Sequence, residues 1–160
     1  MADSIFATGT TRAEKYASLL PQMQSLMEGE TDPIANMANF SSVIHEVFGF
    51  LWVGFYRVVG NDLVLGPFQG PLACTRIPFG KGVCGKSLET GNPVVVPDVN
   101  LFSGHIACSP LSRSEIVIPL KGPDEKVWAV LDIDSSRLND FSEIDVKYLT
   151  EMLSHIRNSV

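Results

Sequence analysis

The chain uses two hydrophobic periods, and the change between them separates predicted helices from predicted strands. Where apolar residues recur every three or four positions, the spacing predicts amphipathic helices, at residues 11–27, 32–49 and from 142 onward. Thr11 and Glu14 have the spacing of a capping box, which is typical of a helix start. Pro21 lies within the first helix and is expected to kink or split it.

Segments rich in β-branched and aromatic residues lie between the second and third of these helices. They predict strands at residues 50–59, 63–65, 94–96, 115–120 and 127–134, with a short helix at 83–90 and loops at 66–75 and 98–114. Terminal helices around adjacent hairpins predict an α+β fold, in which helices cover one face of an antiparallel sheet and a ligand pocket lies on the other. A loop as long as 98–114 in a small domain is usually functional.

Composition and charge narrow the class of protein. A chain of 160 residues with 45% hydrophobic content is expected to form one domain, residues 1–160. Its net charge of −6 and the lack of a basic run argue against nucleic acid as a partner. Neither a signal peptide nor an apolar run long enough for a bilayer is evident, which predicts a cytoplasmic protein without a membrane partner.

Cys74, Cys84 and Cys108 carry the clearest candidate chemistry. Because structural disulfides are rare in the cytosol, cysteines in glycine-rich loops are typical of reactive thiols there. Cys108 lies near His105 and Arg113, either of which would favour its thiolate if the long loop folds back. Spacings of 10 and 24 residues match no structural zinc signature, so no metal is expected. Inert buried thiols remain an alternative, above all for Cys84.

Carboxylates cluster in a second candidate site. Asp132 and Asp134 alternate with apolar residues, which puts both on one face of their predicted strand. If that strand pairs with the preceding one as a hairpin, Glu115 approaches the same face. Three carboxylates in one pocket would raise at least one pKa and suit a cationic ligand group beside a proton donor. The alternative is a solvated strand end.

Aromatic residues mark a third candidate surface. Trp52, Gly54 and Tyr56 share one face of the first predicted strand. Gly54 would leave a gap between the two rings that a small ligand could fill, and aromatic walls suit a cationic or methyl-bearing ligand. Alternatively, both rings belong to an ordinary core.

Taken together, several runs resemble one family, the free methionine-(R)-sulfoxide reductases, which are stand-alone enzymes of the GAF fold. The matching runs are residues 66–70, 73–77, 80–85 and 96–99, Gly104-His105-Ile106-Ala107-Cys108, residues 112–117, and Leu131-Asp132-Ile133-Asp134. The resemblance extends from the first helix to the last. A generic GAF domain would share the fold without these motifs.

This resemblance implies a role for each candidate residue. Cys108 corresponds to the catalytic cysteine that becomes a sulfenic acid, Cys74 to the resolving cysteine that forms a disulfide with it, and Cys84 to a third cysteine near the substrate. The residues implied in substrate binding are Trp52, Tyr56, Glu115, Asp132 and Asp134. The resemblance further implies free L-methionine (R)-sulfoxide as substrate, thioredoxin as reductant, a homodimer, and neither cofactor nor metal.

The sequence departs from the family pattern on both sides of Cys108. Ser103 stands where proline is usual, and Ser109-Pro110 follow Cys108 where an aspartate is common. Losing a negative charge beside Cys108 favours its thiolate. Two other functions stay open: a GAF sensor that binds a small molecule or reads redox state through a Cys74–Cys108 disulfide, and a scaffold module with incidental cysteines.

Overall fold

Four α-helices and six strands are found in residues 4–158, the part of the chain that this computed structural model describes. In chain order they are α1 (Arg12–Met27), α2 (Pro33–Phe48), β1 (Trp52–Val59), β2 (Asp62–Gln69), β3 (Arg76–Pro78), α3 (Gly82–Thr90), β4 (Val94–Val96), β5 (Ser114–Lys121), β6 (Val127–Ser135) and α4 (Glu143–Leu153). A short 3-10 helix, Val99–Leu101, lies in the long loop before β5.

The predicted helix starts are confirmed by their caps. The Thr11 hydroxyl accepts from the Glu14 N–H at 3.2 Å, and the Glu14 carboxylate accepts from the Thr11 N–H at 3.1 Å. Ser142 and Asp145 form the same capping box at α4. Asp32 caps α2, whose first residue is Pro33. These reciprocal bonds satisfy backbone donors that the first helical turn leaves free.

Pro21 does not split α1, which is continuous from Arg12 to Met27. The expected split was wrong because the helix is held on both sides of the proline by tertiary packing. Leu19 and Met23 are completely buried in the core. This burial outweighs the single backbone hydrogen bond that a proline removes.

All six strands form one antiparallel sheet in the order β3-β2-β1-β6-β5-β4. The second half of β2 lies where a loop was predicted, at residues 66–69, and β3 lies just beyond that loop, at residues for which no element was predicted. Gly66 and Pro67, which are typical of loops, are absorbed by a bulge, since Gly54 pairs with Phe68 but Tyr56 with Leu65. The α+β prediction is confirmed.

The sheet has a helical face and a pocket face. On the helical face, α1, α2 and α4 pack against alternate residues of the central strands, which include Val53, Phe55, Ile118, Leu131 and Ile133. α3 lies on the other face, over a smaller apolar cluster that includes Val83, Val117 and Val130. The helices are therefore not all on one side. Among residues 4–158, no helix combines the length and the hydrophobicity that crossing a bilayer requires.

Gly54 makes room for an aromatic ring of its own strand. A Cβ atom at this position would lie 2.5 Å from Cη2 of Trp52 and 2.4 Å from Cβ of Phe68. The expected gap is therefore filled by the Trp52 indole, and the idea that a ligand occupies it was wrong. Gly54 lets the ring lie flat against the sheet, where it stacks on Phe68 with centroids 5.3 Å apart.

We expect Gly54→Ala to lower the free energy of unfolding by about 1–3 kcal/mol, because the added methyl group overpacks a buried site. Chemical denaturation monitored by Trp fluorescence measures this. Gly122→Ala is the matched control, since the nearest atoms to its Cβ would be the Asp124 carboxylate oxygen at 3.1 Å and the Lys126 carbonyl oxygen at 3.9 Å. Equal stability of the two variants would contradict the tight fit at Gly54.

Candidate active site

Three carboxyl side chains meet on the pocket face of the sheet. Glu115 on β5 lies directly opposite Asp134 on β6, and Asp132 lies two residues along β6, opposite Gly54 of β1. Strand alternation directs all three side chains to the same face. Glu115 and Asp132 are only 6% and 7% exposed, which excludes a solvated strand end for these two residues.

Burial and mutual repulsion disfavour ionisation of this cluster. Burial raises the pKa of Glu115 well above its usual value, and the negative charge of Asp134 adds to the rise. The pKa of Asp132 is also raised well above its usual value, first by burial and then by the charges of Glu115 and Asp134. Burial raises the pKa of Asp134, against a hydrogen bond from Ser112 that lowers it. Burial and mutual repulsion therefore both favour the protonated forms of these carboxyls.

The cluster is only partly satisfied by neighbouring groups. The Ser112 hydroxyl donates to Oδ1 of Asp134 at 2.6 Å, and Nε2 of His105 lies 3.4 Å from Oε2 of Glu115. Among the described residues, Oδ1 of Asp132 is buried without a hydrogen-bond partner. A buried acceptor without a partner is costly, so this atom points to a donor supplied by a ligand.

The Cys84 thiol forms part of the same cluster. Its sulfur and one carboxylate oxygen each of Glu115 and Asp132 lie within 4.8 Å of one another. Burial raises the pKa of Cys84 well above its usual value, and the charge of Asp132 raises it further. A metal ion would need these groups deprotonated, which their burial opposes. Cys84 is thus a neutral thiol in the wall of the site.

Cys74 and Cys108 are joined by a disulfide, with their Cα atoms 5.6 Å apart. The bond links the β2–β3 loop to the long loop before β5. Cys108 is exposed and Cys74 is half-buried, whereas Cys84 is free and buried. The pairing implied by the family resemblance is therefore present, and its sulfur atoms are near enough to the surface for exchange with another thiol.

The two predicted aromatic residues serve both the core and the site. The rings of Trp52 and Tyr56 are buried and stack with centroids 5.9 Å apart. The Tyr56 hydroxyl donates to the backbone carbonyl of Cys74 at 2.9 Å. The indole N–H of Trp52 has no partner among the described residues.

These groups surround a small cavity of about 40 Å³ beneath the disulfide. Every predicted site residue except Cys74 lines it, and the full lining is Trp52, Tyr56, Leu72, Ala73, Ile77, Gly82, Val83, Cys84, His105, Ile106, Cys108, Ser109, Ser112, Glu115, Asp132 and Asp134. A larger groove of about 680 Å³, between α4 and the end of β5, has no cysteine or carboxylate in its lining. Reactive chemistry therefore favours the smaller cavity.

Two lining residues have contacts that the sequence did not predict. His105 was expected to act on Cys108, but its ring nitrogen contacts Glu115. Ser112 was not assigned a role, although it is hydrogen-bonded to Asp134. Ser112 lies in the matching run 112–117 and three residues before Glu115, but serine is too common in loops for either signal to assign it a role.

Three comparisons relate the chain to known proteins. The GAF domain profile matches residues 40–160. GAF domain-containing protein A of Dictyostelium discoideum is 50% identical over 159 residues, which cover 99% of this chain and 100% of that protein. The free methionine-R-sulfoxide reductase of Escherichia coli is 41% identical over 146 residues, with coverages of 91% and 88%. A crystal structure of free methionine-R-sulfoxide reductase from Neisseria meningitidis, in complex with its substrate, superposes with a TM-score of 0.93 at 50% identity, with coverages of 96% and 92%.

We expect Asp132→Asn to raise the free energy of unfolding at pH 7. A carboxyl whose pKa is higher in the folded than in the unfolded chain stabilises the fold only at low pH. Its contribution is lost as the pH rises from the unfolded value, about 4, toward the raised one. Asparagine does not ionise, so the variant should also lose less stability between pH 4 and 7.

Denaturant unfolding at several pH values measures this effect. Glu151→Gln, at an exposed position of α4, is the matched control and should follow the wild-type curve. A loss of stability at pH 7 in Asp132→Asn, relative to wild type, would show that the buried carboxyl is already compensated in the folded chain.

Proposed function

This chain belongs to the GAF domain family and, within it, to the free methionine-R-sulfoxide reductases, and on that premise we propose that it reduces free L-methionine (R)-sulfoxide to methionine. It is thus an oxidoreductase acting on sulfur. One observation carries the proposal: the disulfide-forming Cys108 lines the same cavity as three carboxyl groups, of which Glu115 and Asp132 are buried and Asp134 is half-buried. A redox-active sulfur therefore lies beside groups that suit the ammonium of an amino acid.

Recognition of the free amino acid is assigned to the acidic cluster. The substrate ammonium would pair with carboxyls among Glu115, Asp132 and Asp134. These carboxyls would ionise and release their protons to solvent, and the pairing would offset the cost of burying their charge. Peptide-bound methionine has an uncharged amide at that position and would leave the carboxyls without a cation. Trp52 and the ring of Tyr56 would contact the methyl-bearing end of the substrate, a role supported by their position in the cavity wall.

The chemical step uses a proton and a thiolate. A carboxyl that retains its proton can hydrogen-bond to the sulfoxide oxygen and donate that proton as the oxygen leaves sulfur. The Cys108 thiolate attacks the sulfoxide sulfur, and the overall transfer of one oxygen atom leaves methionine and a sulfenic acid on Cys108. Cys84 would contribute as a neutral thiol close to the substrate, in agreement with its raised pKa.

Regeneration proceeds through the disulfide. Cys74 attacks the Cys108 sulfenic acid, the sulfur–oxygen bond breaks, and water leaves as the S–S bond forms. An external dithiol then supplies two electrons and two protons. We assign that role to thioredoxin, and the exposure of Cys108 supports access by a protein dithiol.

The proposal also covers domain organisation, cellular location and oligomeric state. We propose a single domain over residues 1–160, supported by the packing of α1 against α4. A cytoplasmic location agrees with a cycle that needs continuous reduction of a disulfide. A homodimer is proposed from the family resemblance, and light scattering coupled to gel filtration would test it.

The activity is tested with racemic free methionine sulfoxide, thioredoxin, its reductase and NADPH. We expect NADPH oxidation to stop near half of the substrate, since only one sulfur epimer reacts. Cys108→Ser should abolish the reaction. No oxidation of NADPH, or equal use of methionine sulfoxide within a peptide, would contradict the proposal and favour a sensor or a scaffold.

We expect Glu115→Gln and Asp134→Asn each to reduce kcat/KM by about thirty- to several-thousandfold while the fold survives. Truncating one partner of a buried charge pair typically costs 2–5 kcal/mol. Glu151→Gln, far from the cavity lining, is the matched control. Steady-state kinetics measures the change, and wild-type rates in both variants would exclude the acidic cluster from substrate binding.

A further inference from the structure

Tyr56 has two ends with different surroundings. Its ring stacks on Trp52 and lines the cavity, whereas its hydroxyl donates to the backbone carbonyl of Cys74 at 2.9 Å. The residue is only 1% exposed. The hydroxyl therefore links a central strand of the sheet to the loop that carries one half of the disulfide.

Besides the disulfide and the packing of Ala73 and Cys74 against the pocket-face cluster, the loop that holds Cys74 has few contacts that fix its backbone. Residues 70–75 form no helix or strand, and Leu72 is 90% exposed. At the end of the loop, the carbonyl of Thr75 accepts from the Leu65 N–H at 3.0 Å. Among the described residues, the bond from Tyr56 is the one hydrogen bond to the Cys74 backbone. The Tyr56 side chain is thus bonded to the loop at Cys74, the residue whose sulfur has to be held in place for disulfide formation.

The tyrosine remains a donor throughout the neutral range. Burial raises the pKa of its phenol, and the negative charge of Asp132 raises it further. A neutral phenol keeps the proton that the Cys74 carbonyl accepts, so the link does not depend on the protonation of the acidic cluster.

We propose that the Tyr56 hydroxyl positions Cys74 for attack on the Cys108 sulfenic acid. This inference rests on the proposed function. In that step the Cys74 sulfur forms a bond to the Cys108 sulfur, the sulfur–oxygen bond of Cys108 breaks, and the oxygen leaves as water. Since the hydroxyl contacts the resolving loop, its removal acts on disulfide formation more than on the preceding oxygen transfer.

The variant Tyr56→Phe tests the hydroxyl alone, because it keeps the ring. Reduced protein is mixed with free methionine sulfoxide without external reductant, and methionine and disulfide are quantified over time. Because Tyr56 also lines the cavity, the rate of methionine formation serves as the internal reference within each variant. Relative to methionine formation, disulfide formation should slow by about two- to tenfold, the range that one hydrogen bond supplies. The sulfenic acid, trapped with a cyclic 1,3-diketone, should accumulate.

Tyr148→Phe, on α4 and outside the cavity lining, is the matched control and should follow wild type in both steps. Wild-type disulfide formation in Tyr56→Phe would overturn the inference. A higher KM with unchanged disulfide formation would also overturn it and make the hydroxyl a substrate contact. Equal slowing of both steps would reveal a general structural role and would likewise contradict it.

A second arm separates this inference from the proposed function. Hydrogen peroxide oxidises the Cys108 thiolate to the same sulfenic acid, with release of hydroxide, and needs no sulfoxide. Disulfide formation after a peroxide pulse should be slower in Tyr56→Phe than in wild type. If wild type forms no methionine from methionine sulfoxide, the proposed function fails, while the peroxide arm still decides the role of Tyr56.

Discussion

Glu115 and Asp134 face each other across two paired strands, with Asp132 two residues away, and the crowding of these three carboxyls in a largely buried cluster is the main constraint on the site. Sheet pairing leaves their side chains no other face to occupy. The unfavourable free energy of burying these carboxyls is offset by the hydrophobic core that α1, α2 and α4 form on the opposite face of the sheet. In the proposed function, the ammonium of the ligand would favour ionisation of carboxyls that burial and mutual repulsion keep protonated in the empty site.

The same cluster is tied to the two redox loops. His105 contacts Glu115 three residues before Cys108, and Tyr56, on the strand beside β6, contacts the backbone of Cys74. Both cysteine loops thus rest on residues that line the cavity. In the proposed function, the Cys108 sulfur meets the sulfoxide sulfur only when the ligand is small enough to enter the cavity. Oxygen transfer and disulfide formation would then take place on the same face of the sheet.

Periodicity was sufficient to predict this cluster but not the loops around it. Alternation along β6 put Asp132 and Asp134 on one face, and hairpin pairing brought Glu115 to them, because both rules are local. The extension of β2 was missed because a bulge hides Gly66 and Pro67 within a strand. The Tyr56–Cys74 bond crosses 18 residues from side chain to backbone, and no spacing in the sequence encodes it.

The central claim is that carboxyls protonated in the empty site ionise against the ammonium of the bound amino acid. Titration calorimetry of the reduced protein with methionine, at pH 7 in buffers of different ionisation enthalpy, measures the protons exchanged on binding. The account predicts net proton release, because the pKa values of Glu115 and Asp132 are raised in the empty site and fall beside a cation. Binding without proton release, or with proton uptake, would contradict it.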